Sequence, residues 1–395
     1  MPLVRVYLRT IGLRDHAWLT IRRCRLWAQG TAEAVPAQDI RVPVRSLHVI
    51  STPARRGAET FAVELCQALR QAGDEAAVVA LSPTDTGECH DVPTLGRSRR
   101  SPETLSNLRR LAALADVTVA HGSSTLEACA VGLAGSGCPF VYRSIGDPSY
   151  WVSGPVRTSI IGCLHRRAAQ HVALWSGAAE RLTERYSISA GRITVIPNAT
   201  DPERWPRASS EDRKAARDIF GIAVDRPCLA FVGSLSVEKD VDAVLETALH
   251  WEEVQVLLAG DGPERTRLEA RAAAGAPRRI RFLGAIKDPF PVYAAADLLL
   301  LPSRSEGMPA VIIEAGMVGT ATVATAVGAV PEMISDRHTG FLVLPRDTHD
   351  FVDRVADALF QARAAGANAS ADFRRRFGIG PVAARWQTLL QRVAE

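Results

Sequence analysis

Two carboxylates and one ammonium carry the spacing in this sequence that points to chemistry. Glu306 and Glu314, with seven residues between them, lie in DLLLLPSRSEGMPAVIIEAG, residues 297–316. The four leucines at 298–301 form a short, wholly apolar run, the length of a strand buried on both faces of a parallel sheet. Pro302, Ser303 and Ser305 end the run, and Gly307 allows close backbone approach. Pro309 suits the first turn of a helix through Ala310, Ile313 and Glu314. A strand, loop and helix in that order aim backbone N–H groups and the positive end of a helix dipole into the crevice at the carboxyl end of a sheet. A diphosphate is stabilised there, cradled by Gly307, Met308, Pro309 and Ala310. Glu306 would face a group beyond the phosphates and Glu314 the ribose side, the two tasks of nucleotide-sugar binding. Taken alone, two such glutamates describe a solvated helix face, and Glu314 could cap or pair within its own helix.

A second anion site is written in PCLAFVGSLSVEKDVDAVLETALHW, residues 227–251, where a strand, a turn at Gly233 and a helix start surround Lys239. Lysine occurs only at 214, 239 and 287, so arginine is the default cation and a lysine at such a place carries more weight. Gly260-Asp261-Gly262-Pro263 follows the strand VQVLLA and precedes a helix, as a turn at a nucleotide crevice does. His121 ends the strand DVTVAH, also a position where sites of α/β proteins lie.

These stretches need a scaffold, and the chain has length for one. Its 395 residues exceed one ordinary core, so two domains are expected, and 47% hydrophobic with 23% charged residues is a soluble globular profile. Seven cysteines are scattered singly, without metal-ligand spacing, which argues against a zinc site or a disulfide scaffold and for a reducing cytoplasm. Residues 1–56 hold ten arginines against three acids, a net of +7, which leaves −3 for the rest of a chain of net +4. The segment 1–44 reads as a basic extension with two tryptophans, either solvated or resting peripherally on anionic lipid at the inner face of a membrane. From Ser46 onward strands and amphipathic helices alternate. LHVIS is a strand, TPARRGAE a loop, and TFAVELCQALRQAG a helix; a helix at 157–170 and a carboxyl-terminal helix from Phe373 are also expected.

The stretch PSRSEGMPAVIIEAG strongly resembles the E-x7-E signature of the family-four glycosyltransferases, which are retaining. The resemblance extends over residues 46–390 and implies an α/β protein of GT-B fold, two Rossmann-like domains facing a central cleft. An acceptor domain at 45–201, a nucleotide-sugar domain at 202–375 and a helix at 376–395 packing back on the first domain would follow the basic extension. In this pattern Gly57 belongs to a glycine-rich first loop near donor and acceptor, with Arg56 replacing its first glycine. Ile196-Pro197-Asn198 matches the segment that closes the first domain, and Ile286 lies in the loop that contacts the base. Gly328, Pro331 and Glu332 match an architectural turn. Two departures stand out. Ser234 replaces one of two cations facing the diphosphate, for which Arg304, otherwise read as a surface arginine, is one candidate substitute, and Ile145 stands where members often carry a histidine. Asp147 and His121 are then the remaining candidates for a general base beside Glu306 and Lys239.

The resemblance implies a UDP- or GDP-linked sugar as donor, no resident cofactor, no required metal and no nucleic acid partner. The acceptor stays open among lipid, polysaccharide, small molecule and protein, in glycan, polysaccharide or glycolipid biosynthesis. The competing readings are a GT-B protein that keeps nucleotide-sugar binding but has lost turnover, and a nucleotide-sugar epimerase. A pyridoxal-phosphate phosphorylase fits poorly, because Lys239 is the only lysine at an anion site.

Overall fold

The computed structural model describes residues 42–84, 87–146, 154–276, 278–345 and 348–395. The basic extension up to residue 41 and Asp147 lie outside the described residues.

Strands and helices alternate along the described chain and build two six-stranded parallel sheets. The strands of the first are β1 Arg45–Ile50, β2 Glu75–Ala80, β3 Val117–His121, β4 Phe140–Arg143, β5 Gln170–Ala173 and β6 Ile193–Val195, in the spatial order β2-β1-β3-β4-β5-β6. The second holds β7 Cys228–Val232, β8 Gln255–Ala259, β9 Ile280–Gly284, β10 Leu298–Leu301, β11 Ala321–Thr325 and β12 Gly340–Val343, in the order β12-β11-β10-β7-β8-β9. Strands covered by helices on both faces must be apolar throughout, and the four leucines of β10 are indeed buried along their length. Strand order reverses between β10 and β7, which pair through Leu298 with Leu229 and Leu299 with Ala230. The connections leaving these two strands therefore run to opposite sides and leave a crevice at their carboxyl ends. Among the described residues no helix is long and apolar enough to cross a membrane.

Several boundaries differ from those expected. Gly57 is not in a loop: it is the first residue of the helix Gly57–Gln71, whose first turn is held to the residue after β1 by a hydrogen bond of 2.9 Å from Ser51 Oγ to Glu59 Oε1. The helix Pro155–Arg167 ends before β5, so Gln170 opens the strand instead of closing the helix. The carboxyl-terminal helix is two helices, Thr348–Phe377 and Ile379–Ala394, broken at Gly378 where residues 377–379 bridge to Thr200.

The compact units are also cut differently from a boundary after residue 201. One runs to Tyr142 and includes Arg167–Ala169 and Gln387–Glu395, and the other holds Arg143–Arg166 and Gln170–Trp386. Within the second unit a physical tie explains why the stretch after β4 counts with the β10 loop. The buried Arg143 guanidinium donates to Asn198 Oδ1, and Asn198 Nδ2 in turn donates to the Met308 carbonyl at 3.0 Å.

Candidate active site at the strand reversal of the second sheet

Lys239 and Glu306 meet at the β7–β10 reversal. The connection after β7 closes with a short 3-10 turn, Val237–Lys239, and Asp240 at φ 49° opens the helix Val241–His250. The connection after β10 runs from Pro302 to Pro309, the N-cap of the helix Ala310–Val318. Across these two connections Lys239 Nζ donates to Glu306 Oε1 at 2.6 Å. The fully buried Ser303 donates its hydroxyl to the same oxygen at 2.7 Å. The Glu306 side chain is 7% exposed and that of Lys239 23%, so the carboxylate is sunk in the loop while the ammonium keeps contact with solvent. The residues singled out from separate motifs thus form one hydrogen-bonded group.

The two loops are clasped by further bonds. Arg304 N donates to the Glu238 carbonyl at 2.8 Å, and Ser305 Oγ to Glu238 Oε1 at 2.6 Å. The Arg304 guanidinium pairs with Asp240 at 3.2 and 3.3 Å. Arg304 is thus a surface arginine paired with a neighbouring carboxylate, the alternative to its standing in for the cation missing at Ser234. Ser234 itself is exposed in the turn after Gly233.

Backbone crossings set the loop positions. Gly260, at φ 143°, has no room for a side chain, since a Cβ would lie 1.7 Å from the Gly233 carbonyl oxygen. A Cβ on Gly262 would lie 2.4 Å from the Leu235 carbonyl oxygen, and the Leu235 N–H donates to the Asp261 carbonyl at 3.0 Å. The Gly-x-Gly-Pro turn therefore packs the β8 connection against the β7 connection. Gly328, at φ 58°, plays the same part for the β10 loop, because a Cβ there would meet the Glu306 carbonyl oxygen at 1.9 Å. Ala329 N then donates to the Gly307 carbonyl at 2.9 Å, and Glu332 accepts from Ser176 N and Oγ at 2.9 to 3.1 Å. The architectural reading of this turn has its physical reason in these contacts. Gly307 lies against the Ile145 carbonyl, and Ile286 is half-buried against the core.

Glu314 lies on the helix Ala310–Val318 between buried Ile313 and Ala315, its carboxylate accepting from Tyr293 Oη at 2.8 Å. Burial pushes its carboxyl above the usual carboxylate range, while the tyrosine hydroxyl and the Arg204 charge oppose that rise. Pro309, Ala310 and Met308 lead into this helix as expected, and the helix has no side-chain cap at its N-terminus.

Gly57 and His121 belong to the first unit, Lys239 and Glu306 to the second. A Cβ on Gly57 would meet nothing within 4 Å. His121 ends β3 as expected but is buried, its Nε2 3.0 Å from His48 Nδ1 and its ring near Phe61. Sequence reasoning missed this partner, and it missed Ser303 and Tyr293. Ser303 had a local signal, a hydroxyl three residues before Glu306 at a strand end; Tyr293, 21 residues from Glu314, had none.

A model of glycosyl transferases group 1 matches residues 226–361, and a model of glycosyltransferase family 4 matches residues 55–204. The D-inositol 3-phosphate glycosyltransferase of Mycolicibacterium smegmatis is 34% identical over 208 residues, 50% of this chain and 47% of that protein. The protein of the same name from Nocardia farcinica is 33% identical over 211 residues, 49% of this chain and 45% of its own. The chain thus spans about half the length of the curated relatives it matches. Anabaena HepE, solved in complex with UDP-glucose, superposes with a TM-score of 0.76 at 20% identity over 88% of this chain and 100% of that one. WaaG, a glycosyltransferase involved in lipopolysaccharide biosynthesis, superposes at 0.67 and 17% identity over 87% and 99%. The fold is that of GT-B glycosyltransferases.

Proposed function

We propose, for a chain that belongs to the family-four glycosyltransferases, the transfer of a sugar from a nucleotide-diphosphate sugar to an acceptor hydroxyl with retention of anomeric configuration. The observation that carries this reading is the Lys239–Glu306 pair, held by Ser303 at the strand reversal where α/β sheets bind nucleotides. In this reading the Lys239 ammonium and the N–H groups opening the helix Ala310–Val318 stabilise the departing diphosphate, the electrostatic contribution that is usually the largest in catalysis. Glu306 orients the sugar and Glu314 accepts from the ribose. The bond from the anomeric carbon to the phosphate oxygen breaks and the bond to the acceptor oxygen forms on the same face. The acceptor proton passes to the leaving phosphate, so no protein nucleophile is needed. A UDP-linked donor is favoured by the UDP-glucose complex of HepE, and an inositol phosphate is the first acceptor to test because of the relatives' names.

Ser234 and the engaged Arg304 favour a second reading, a nucleotide-sugar-binding protein with little turnover. Thermal melting with UDP, GDP and ADP, followed by incubation with the corresponding labelled sugars, separates the two. A nucleoside diphosphate at about 100 times its Kd adds about 2.7 kcal/mol to stability, a readily measured shift. Stabilisation with sugar release or transfer supports the transferase; stabilisation without either supports the binding protein. No stabilisation by any of the three refutes both.

A further inference from the structure

We propose that Tyr293 is a positioning residue that makes this site select ribonucleotides, by holding the Glu314 carboxylate in the orientation that accepts from ribose hydroxyls. The proposal rests on the reading of Glu314 as the ribose-facing carboxylate.

Tyr293 is a residue of the helix Phe290–Ala295 and is fully buried. Its hydroxyl donates to Glu314 Oε2 at 2.8 Å. A carboxylate has two oxygens with about four acceptor positions, so one bond to Oε2 fixes the group's rotation and leaves Oε1 free to accept from a ligand. The tyrosine is itself locked. Its ring meets Trp205 edge-on at 5.7 Å, and Trp205 Nε1 donates to Thr200 Oγ1 at 3.1 Å. Its carbonyl accepts from Thr320 Oγ1 at 2.8 Å. A hydroxyl fixed in this way presents the carboxylate in one geometry before any ligand arrives, which spares the ordering cost at the moment of binding.

Charge supports the same assignment. Glu314 lies in a helix whose neighbouring residues Ile313, Ala315 and Gly316 are buried, and burial disfavours its ionised form. The groups acting on it from the neighbouring elements are the Tyr293 hydroxyl and the Arg204 guanidinium, both of which favour the carboxylate. Burial and the adjacent carboxylate push the tyrosine's own ionisation well up, so it remains a donor throughout the working pH range. Loss of that donor would leave a carboxyl group that takes a proton more easily and then competes as a donor with the ribose.

The test compares UDP with 2′,3′-dideoxy-UDP by calorimetry on the wild type, Tyr293→Phe, Glu314→Gln and the double variant. Phenylalanine preserves the packing on Trp205 and removes only the hydroxyl. The wild type should prefer UDP by tenfold or more. Tyr293→Phe should lose about tenfold in UDP affinity with the dideoxy ligand unaffected. In the Glu314→Gln background the tyrosine change should have no further effect on selectivity. Equal losses for both ligands, or unchanged selectivity in Tyr293→Phe, overturn the tyrosine's role while leaving Glu314 at the ribose. A wild type that binds UDP but does not discriminate removes Glu314 from the ribose and the proposal with it. If UDP does not bind, the same comparison is made with GDP or ADP and its 2′,3′-dideoxy counterpart; absence of binding of all three removes the nucleotide-sugar reading and the proposal together.

Discussion

Replacing Lys239 by alanine should damage the fold and the chemistry by separable amounts, and the geometry allows each to be worked out. Glu306 keeps its carboxylate in a loop at 7% exposure with two donors, the ammonium at 2.6 Å and Ser303 Oγ at 2.7 Å. At an effective dielectric of about 20 the gross attraction across that ion pair is about 6 kcal/mol, most of it offset by desolvation of the two charges. Removing one partner of a buried pair generally costs about 3 to 5 kcal/mol because the other charge is stranded. Here Ser303 still donates and the lysine was 23% exposed, so the cost should lie at or below the lower bound, about 2 to 3 kcal/mol.

Glu306→Gln removes the charge that would be stranded. In the Lys239→Ala background it should therefore restore at least half of the lost stability, a coupling of about 1 kcal/mol or more. Melting temperatures of the four proteins without ligand measure this. Activity should not follow: Lys239→Ala should lower kcat/KM by about 10², as loss of one preorganised donor does, and the double variant should recover none of it. A nucleoside monophosphate should bind Lys239→Ala almost normally, because the distal phosphate is missing. If Lys239→Ala melts like the wild type, or the two substitutions are additive, the pair does not hold the loop. An equal loss for monophosphate and diphosphate would mean that the whole loop has moved.

Two further outcomes follow from backbone space and from buried histidines. Gly328→Ala should destabilise by about 2 kcal/mol or more, since its Cβ would meet the Glu306 carbonyl oxygen at 1.9 Å at a φ of 58°. Gly57→Ala, at the first position of a helix with open space around it, should be neutral or stabilising by up to about 1 kcal/mol. Equal urea midpoints for the two variants would refute this reading of Gly328. His165 and His171 lie 3.1 Å apart in the interior, and burial holds them neutral, with pKa values lowered from 6.5 to about 3 and about 4. The unfolded chain binds protons at these histidines below pH 6.5 and the native state does not, so stability falls as pH drops from 6.5 towards 4. Each should contribute about 2 kcal/mol of loss by pH 5, and His171→Gln should flatten the slope of midpoint against pH; an unchanged slope would remove His171 from the account.

The fold was legible because parallel strands covered on both faces must be continuous apolar runs, as at Leu298–Leu301. Glu306, Glu314 and Lys239 were legible as candidates because each belongs to a segment that reads as strand, turn and helix start. What stayed hidden depends on contacts between distant parts of the chain. The partner of Arg304 stayed hidden because nothing near it in sequence reveals Asp240, 64 positions away. The helix Thr348–Phe377 runs unbroken through Gly366, Asn368 and Ser370, residues whose local preferences favour a break. Each has a tertiary reason to be there. A Cβ on Gly366 would lie 2.0 Å from the Gly319 carbonyl oxygen, Asn368 Nδ2 donates to the His338 carbonyl, and Ser370 Oγ donates to the Met317 carbonyl. Small and polar residues that look like a loop are, in this helix, the surface on which another helix end is fitted.

The same distinction bears on the single-cation site. With Ser234 exposed and Arg304 paired to Asp240, Lys239 is the one cation that the two loops direct at the strand reversal among the described residues. The remaining positive potential comes from backbone. The helix Ala310–Val318 begins at a proline with no side-chain cap, so the N–H groups of its first turn have no competing side chain, and the macrodipole adds about half a charge at that end. Fixed dipoles of this kind need no reorganisation when a diphosphate arrives or leaves, but they act only where the backbone has been placed. The β10 loop is so placed by the backbone crossings at Gly328 and Ala329 and by the Asn198 side-chain amide donating to the Met308 carbonyl. In the proposed reading, a diphosphate site that relies on backbone in place of a second guanidinium should be damaged more by small displacements of the β10 loop than by the loss of any exposed charge.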